Sequence, residues 1–358
     1  MKGEKSWKVE LKEIIERFND RHKDRNKLIS YATRNARRQG LFRIFVLLHQ
    51  LGHRARPRNF SERHIHSLMA YWTARPEPMN IRPAIVTVPR PTKPYSAAYI
   101  QQQLSFLRAY SEWIGKPGLI RTAQNYVDDR TLVTRTYCAK RDMGWVGNGV
   151  DGREAIERVA NIDKHVAVQL QLMMAFGLRR KEAVMFCPRD AEVPAHAMPA
   201  RHPPGERYLS FLRIKRGTKG GRLRYTAVRT DEQRLALAEA EGLAHGKRGH
   251  IGRPGLTLKQ SLDHFSNVVR QVGLTKRELG VTPHGLRHQF AGDLYFEISG
   301  LKPPVQGGEA VVDHTAMEEA YRQVARQLGH NRPQISNAYL GSPRMAEPDK
   351  PTAEVSPI

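Results

Sequence analysis

Acidic residues are in short supply in this chain. Of 358 residues, 35 are Asp or Glu against 59 Lys or Arg, a formal net charge of +24. A surface so depleted in negative charge repels basic partners and suits a polyanion, either nucleic acid or an anionic membrane face. Cysteine is rarer still. Cys138 and Cys187 are far apart and match no zinc spacing. They fit a reducing cytosol, with Cys187 read as a packed small residue. No apolar run approaches the ~20 residues that span a bilayer. Lys2, Lys5 and Lys8 are not followed by an apolar signal core, which reads against export and for a cytoplasmic protein. No internal repeat is visible, so a solenoid or propeller is not expected.

What is present suffices for folded cores. Apolar residues make up 40% of the chain. The length exceeds the ~250–300 residues at which single cores stop growing, so two domains are expected. The charge is uneven: residues 1–125 hold 24 basic and 9 acidic residues, and the remainder 35 and 26.

Apolar spacing gives the elements. Residues 1–25 read as a short charged helix with Trp7, Leu11, Ile14, Ile15 and Phe18 on one face. Residues 26–125 read as a small helical domain. Its helices run from about Leu28 to Leu51, stopped by Gly52, from Ser61 as N-cap to Thr73, and from Ser96 to Ile114. Six prolines make 74–96 a loop. Residues 126–152 read as a linker, ending in the glycine-rich stretch 144–152. A larger domain spans 153–340. Helices are expected at Ile162–Phe176, from Leu178 to Cys187, and near Asp231–Glu241, Leu258–Val272, Leu286–Phe296 and Met317–Leu328. Residues 207–229 alternate as two strands around the turn Gly217–Gly221, with Tyr208, Ser210 and Leu212 on one side. The tail 341–358, with four prolines, is expected to be disordered. The fold class is therefore mainly α with a small antiparallel β-sheet.

The residues suited to chemistry fall in the larger domain. Gly177-Leu178-Arg179-Arg180-Lys181-Glu182 offers a planar guanidinium that fits two phosphate oxygens, from Arg179 or its rival Arg180. Lys219 in the hairpin turn could protonate a leaving oxygen, and Lys215 is the alternative. His284-x-x-Arg287 puts an imidazole and a guanidinium on one face of a helix start. His288 beside them reads as structural. Leu328-Gly329-His330 stands nine residues before Tyr339, a possible oxygen nucleophile. Together these supply two cations, proton donors and a nucleophile, enough to break a phosphodiester without metal. His49, His53, His64 and His66 form a competing cluster. The first pair has metal-like i,i+4 spacing but no carboxylate or cysteine support, so no metal site is expected.

The order and spacing of Arg179, Lys219, His284, Arg287, His330 and Tyr339 resemble the tyrosine recombinase, or phage integrase, family. The resemblance covers 153–340 well and 28–115 loosely. It implies a helical core-binding domain followed by an α+β catalytic domain, the two clamping duplex DNA. It also implies a site-specific recombinase that cleaves and rejoins DNA through a 3′-phosphotyrosyl intermediate, for integration or excision of a prophage or mobile element. Arg179, Arg287 and His330 would hold the phosphate, Tyr339 attack it, Lys219 protonate the 5′-oxygen and His284 manage the tyrosine proton. Neither cofactor nor metal is implied. The implied partners are double-stranded attachment sites, a DNA-dependent homotetramer and a directionality factor. A type IB topoisomerase-like relaxing enzyme and a non-catalytic DNA-binding protein are the alternatives. Two departures stand out. Some twenty extra residues, about 298–316, separate Arg287 from His330 and are expected on the surface near the site. About 25 residues precede the core-binding region, short for the arm-binding domain of lambda-type members.

Overall fold

The computed structural model describes residues 6–20, 28–74, 91–199, 208–245, 249–308 and 314–342. The chain divides into two compact units, Met1–Thr136 and Tyr137–Ile358, so the division falls within the stretch read as a linker. The expected tail lies outside the described residues beyond 342.

The first unit is helical: α1 Trp7–Phe18, α2 Tyr31–Gln50, α3 Glu62–Thr73 and α4 Ala97–Trp113. Leu11, Ile14 and Ile15 of α1 are buried in the same cluster as Phe45, Leu68 and Leu104. The amino-terminal helix is therefore part of this core and not a separate segment. Side chains set the helix starts by satisfying amides that have no intrahelical partner. Ser30 accepts from the Thr33 amide at 3.2 Å, and Ser96 from Tyr99 at 3.3 Å. At α3 the Ser61 amide donates to His64 Nδ1 at 3.0 Å. His64 is buried. Its pKa is lowered to about 4 by that burial, with smaller contributions from His53, Arg63 and Lys116. Two of the histidines weighed as metal ligands thus serve local structure, since His53 Nε2 sits 2.8 Å from Ser67 Oγ. Among the described residues, no group of three His, Cys, Asp or Glu could hold a metal ion.

The second unit surrounds a larger core with α5 Gly152–Ala160, α6 Lys164–Phe176, α7 Arg180–Val184, α8 Asp231–Leu243, α9 Leu258–Gln271, α10 Gly285–Ser299, α11 His314–Gln327 and the short α12 Asn337–Leu340. The sheet has three antiparallel strands, β1 Glu192–Pro194, β2 Ser210–Ile214 and β3 Arg224–Val228, in the order β1-β2-β3. The hairpin was expected. β1 was not, because three residues ending in proline carry no alternation to read. Within β2 the expected alternation holds, and only Tyr208, expected on the Leu212 side, packs instead with Phe211. Leu212 and Ile214 join the main core while Phe211 packs with Tyr225 and Ala227 on the other face. No described helix is long and apolar enough to cross a membrane.

Candidate active site

Gly177 ends α6 at a positive φ of 58° and turns the chain so that Arg179 caps α7. The Arg179 amide donates to Glu182 Oε2 at 2.9 Å and its Nη1 to Oε1 at 2.6 Å. Glu182 is fully buried and also accepts from Arg224 Nη2 at 2.8 Å, with Arg287 Nη1 4.0 Å away. Burial alone would raise this carboxyl. Arg224, Arg287 and Arg179 overcome it and hold the pKa at about 2. Three guanidiniums around one carboxylate leave an excess of positive charge, which is a seat for an anion.

Arg287 extends from α10 into this cluster and is 0% exposed. Its Nη1 donates to the Gly177 carbonyl and its Nη2 to the Leu328 carbonyl at 2.6 Å, so α6 and the end of α11 aim it. Its pKa is lowered to about 10 by burial first, then by neighbouring arginines, and it stays charged at neutral pH. Its remaining Nε donates to the Tyr339 hydroxyl at 3.2 Å. That hydroxyl also lies 3.4 Å from His330 Nε2. Tyr339 is 9% exposed and shares a buried cluster with Phe290, Leu294 and Val324. The ring of Tyr339 is packed while its oxygen is turned to Arg287 and His330.

The histidines around Tyr339 are kept neutral. Burial, then Arg287 and Arg179, lower His330 to about 4. Burial, then His284, lower His288 to about 4. His284 is more exposed, yet the protein packed around it and then Arg287 and Arg179 also lower its pKa. Arg287 can only donate, so the phenol proton is free to point at a neutral His330. The His284 ring centroid is 6.4 Å from that of Tyr339, and His288 is closer at 4.8 Å. The imidazole within reach of the phenol is thus His330, where the resemblance assigned the tyrosine proton to His284.

The structure brings Arg179, His284, Arg287, His330 and Tyr339 together. Arg180 turns away to Ser266 Oγ at 2.6 Å. Lys219 stands on the β2–β3 turn, exposed and outside the cluster, as does Lys215. The base of that turn is nonetheless pressed onto α7. A Cβ at Gly217 would fall 2.5 Å from the Lys181 carbonyl oxygen and 2.9 Å from Glu182 Cα.

Arg224 was missed in sequence. It is buried, and its guanidinium joins Glu182 to the carbonyls of Gln327 and Gly177 at 2.5 and 3.3 Å. An arginine in phase with Thr226 and Val228 on a buried strand was the available signal. Part of the expected surface insertion was also misjudged: Ile298 and Ser299 complete α10, and Pro303 and Pro304 are buried.

Residues 151–293 match the family model described as Integrase. No curated protein matches the chain. Among solved structures, lambda integrase (residues 75–356) bound to DNA is similar over 92% of this chain and 96% of that one, at 13% identity and a TM-score of 0.50. XerH site-specific recombinase bound to a difH substrate covers 93% of this chain and 90% of its own, at 14% identity and TM-score 0.47. The Tn1549 transposon integrase in complex with circular intermediate DNA covers 92% and 94%, at 12% identity and TM-score 0.44. At 13% identity the first of these establishes a shared fold.

Proposed function

We propose that this chain, whose residues 151–293 match the family model described as Integrase, is a tyrosine-type site-specific DNA recombinase that cuts and rejoins duplex DNA through a 3′-phosphotyrosyl link. The observation that carries this reading is the Tyr339 hydroxyl held between Arg287 Nε at 3.2 Å and His330 Nε2 at 3.4 Å, above a carboxylate-braced arginine cluster.

A free phenol has a pKa near ~10 and is a poor nucleophile at neutral pH. Here the arginines supply positive charge where the phenolate forms, and neutral His330 can accept the departing proton. Arg179 and Arg287 then face the non-bridging oxygens of the scissile phosphate and stabilise the charge of the pentacoordinate state. The phenolate oxygen bonds to phosphorus, the bond to the 5′-oxygen breaks, and Lys219 gives that oxygen its proton once the turn closes on DNA. The exposed His284 is free to meet the phosphate from the solvent side. The new ester conserves the energy of the old one, so a 5′-hydroxyl of a second duplex reverses the step with no ATP.

The chain's +24 charge supplies affinity for the DNA backbone that falls steeply with salt. Attachment-site duplexes, a homotetramer formed on DNA, a directionality factor, a cytoplasmic location and a role in moving a prophage or other integrating element belong to the same proposal. Nicked suicide duplexes tiled from the DNA flanking the gene test it. The wild-type chain is expected to form a covalent adduct on one of them, and Tyr339→Phe to bind that duplex without an adduct. An adduct from the variant would reassign the nucleophile. No adduct from the wild type on any tile would overturn the reading.

A further inference from the structure

The helix that carries Tyr339 is only four residues long, Asn337–Leu340. A helix so short has no stability of its own, so something else must hold the nucleophile in place. Three contacts do. From one side the Ala139 amide donates to the Asn337 carbonyl at 2.8 Å. From α11, the Tyr321 hydroxyl donates to the Gly341 carbonyl at 3.0 Å. The third is the loop Pro303–Gly308, which falls in the stretch expected to be a plain surface insertion.

This loop is built to keep one shape. Pro303 and Pro304 fix its entry, and the amides of Gln306 and Gly308 return to the Pro303 carbonyl at 2.9 and 3.2 Å. Both prolines are buried. Its tip reaches two places at once. Gln306 Nε2 donates to Asp142 Oδ2 at 3.0 Å, three residues from the Ala139 amide that holds α12. Val305 closes on Gly341, immediately behind the helix. Gly341 has a φ of 87°, and a Cβ there would come 3.0 Å from the Val305 amide nitrogen and 3.2 Å from its Cβ. A side chain at 341 would be strained at that φ and would push Val305 back by a few tenths of an ångström.

We infer that Pro303–Gly308 is a positioning clasp, in which Val305 on Gly341 and Gln306 on Asp142 seat the Tyr339 helix against the Arg287 of the same chain. The loop touches no reacting atom. It shortens the excursions of a marginal helix, so that the phenol oxygen spends its time on Arg287 and His330. A displacement of ~1 Å at a reacting atom can cost on the order of a hundredfold in rate. The catalytic consequence rests on the function proposed above; the mechanical one does not.

The test uses the full chain with Val305→Gly, which removes the Cβ that lies over Gly341, together with Gln306→Ala, and Gln306→Ala alone as the milder change. Hydrogen exchange is followed at the Gly341 amide, which donates to Asn337 at 3.1 Å, and across 337–341, with α6 as internal control. Losing one hydrogen bond and one apolar contact should speed exchange there about tenfold and leave α6 unchanged. Single-turnover cleavage of the suicide duplex should fall by about tenfold or more at unchanged DNA affinity. Val305→Ala, which keeps that Cβ, should leave both at the wild-type level when Gln306 is native. Unchanged exchange at 337–341, or equal acceleration in α6, overturns the clasp. Local acceleration with undiminished cleavage overturns its positioning role. A wild-type chain that forms no adduct at all removes the proposed function, while the exchange result still decides the clasp.

Discussion

His64 in the first unit and His330 in the second are both held near a pKa of about 4 with burial as the first cause, yet the two rings answer to different neighbours. His64 closes a helix start: its Nδ1 takes the Ser61 amide, and the need it meets lies three residues away. His330 belongs to a cage drawn from four separate elements, with Arg287, Arg179 and Arg224 lowering it and Tyr339 at its Nε2. The first unit buries its polar groups against its own backbone, as Tyr110 does on the Pro57 carbonyl at 2.7 Å. The second buries charges against one another. Local satisfaction gives stability and nothing more. A buried carboxylate that gathers three guanidiniums is retained at a cost in desolvation, and under the proposed function the return is a preorganised seat for the scissile phosphate.

The sharpest way to break this comparison is Glu182→Ala. Removing the carboxylate leaves three guanidiniums uncompensated, two of them on the fully buried Arg224 and Arg287. The second unit should lose about 3–5 kcal/mol in urea denaturation. A loss below ~1 kcal/mol would show that the arginines relax to water and that the cage is not a buried charge cluster. In the first unit, Ser61→Ala removes a cap and should cost about 1 kcal/mol by the same measurement. A cost as large as that of Glu182→Ala would erase the distinction between the two regions.

Titration gives a smaller and more selective effect. For both histidines the folded pKa lies below the unfolded value of ~6.5, so the unfolded chain binds more protons between these limits. The contribution to stability is therefore full above about 6.5 and is lost as pH falls toward 4. NMR of the ring carbons should place both midpoints near 4 in the free protein. Binding of cleavable DNA should move His330 upward, because a phosphate beside it favours the charged ring, and leave His64 where it is. Equal movement of both, or of neither, would remove His330 from the anion site.

Much of this was legible in sequence. Helix faces such as Leu11, Ile14 and Ile15 could be read because burial on one side leaves a period in the residues. The convergence of Arg179, His284, Arg287, His330 and Tyr339 could be anticipated because each sits in a short motif whose interval is set by a helix start or a turn. Arg224 lacked such a motif: its role depends on Glu182, 42 residues away in sequence. β1 was hidden because three residues carry no period. The loop Pro303–Gly308 was read as surface because prolines and glycines report a turn and not what the turn rests on.

Composition and residue order determined that the chain is basic, mainly helical and divided in two, and which side chains could handle a phosphate. Those properties depend on residue type and on neighbours a few positions apart. Tertiary packing alone decided that Arg179 and not Arg180 enters the cage, that Arg224 braces it, and that His330 rather than His284 meets the phenol. Each of those outcomes turns on distances between groups tens of residues apart, and such distances exist only once buried charges have chosen their partners.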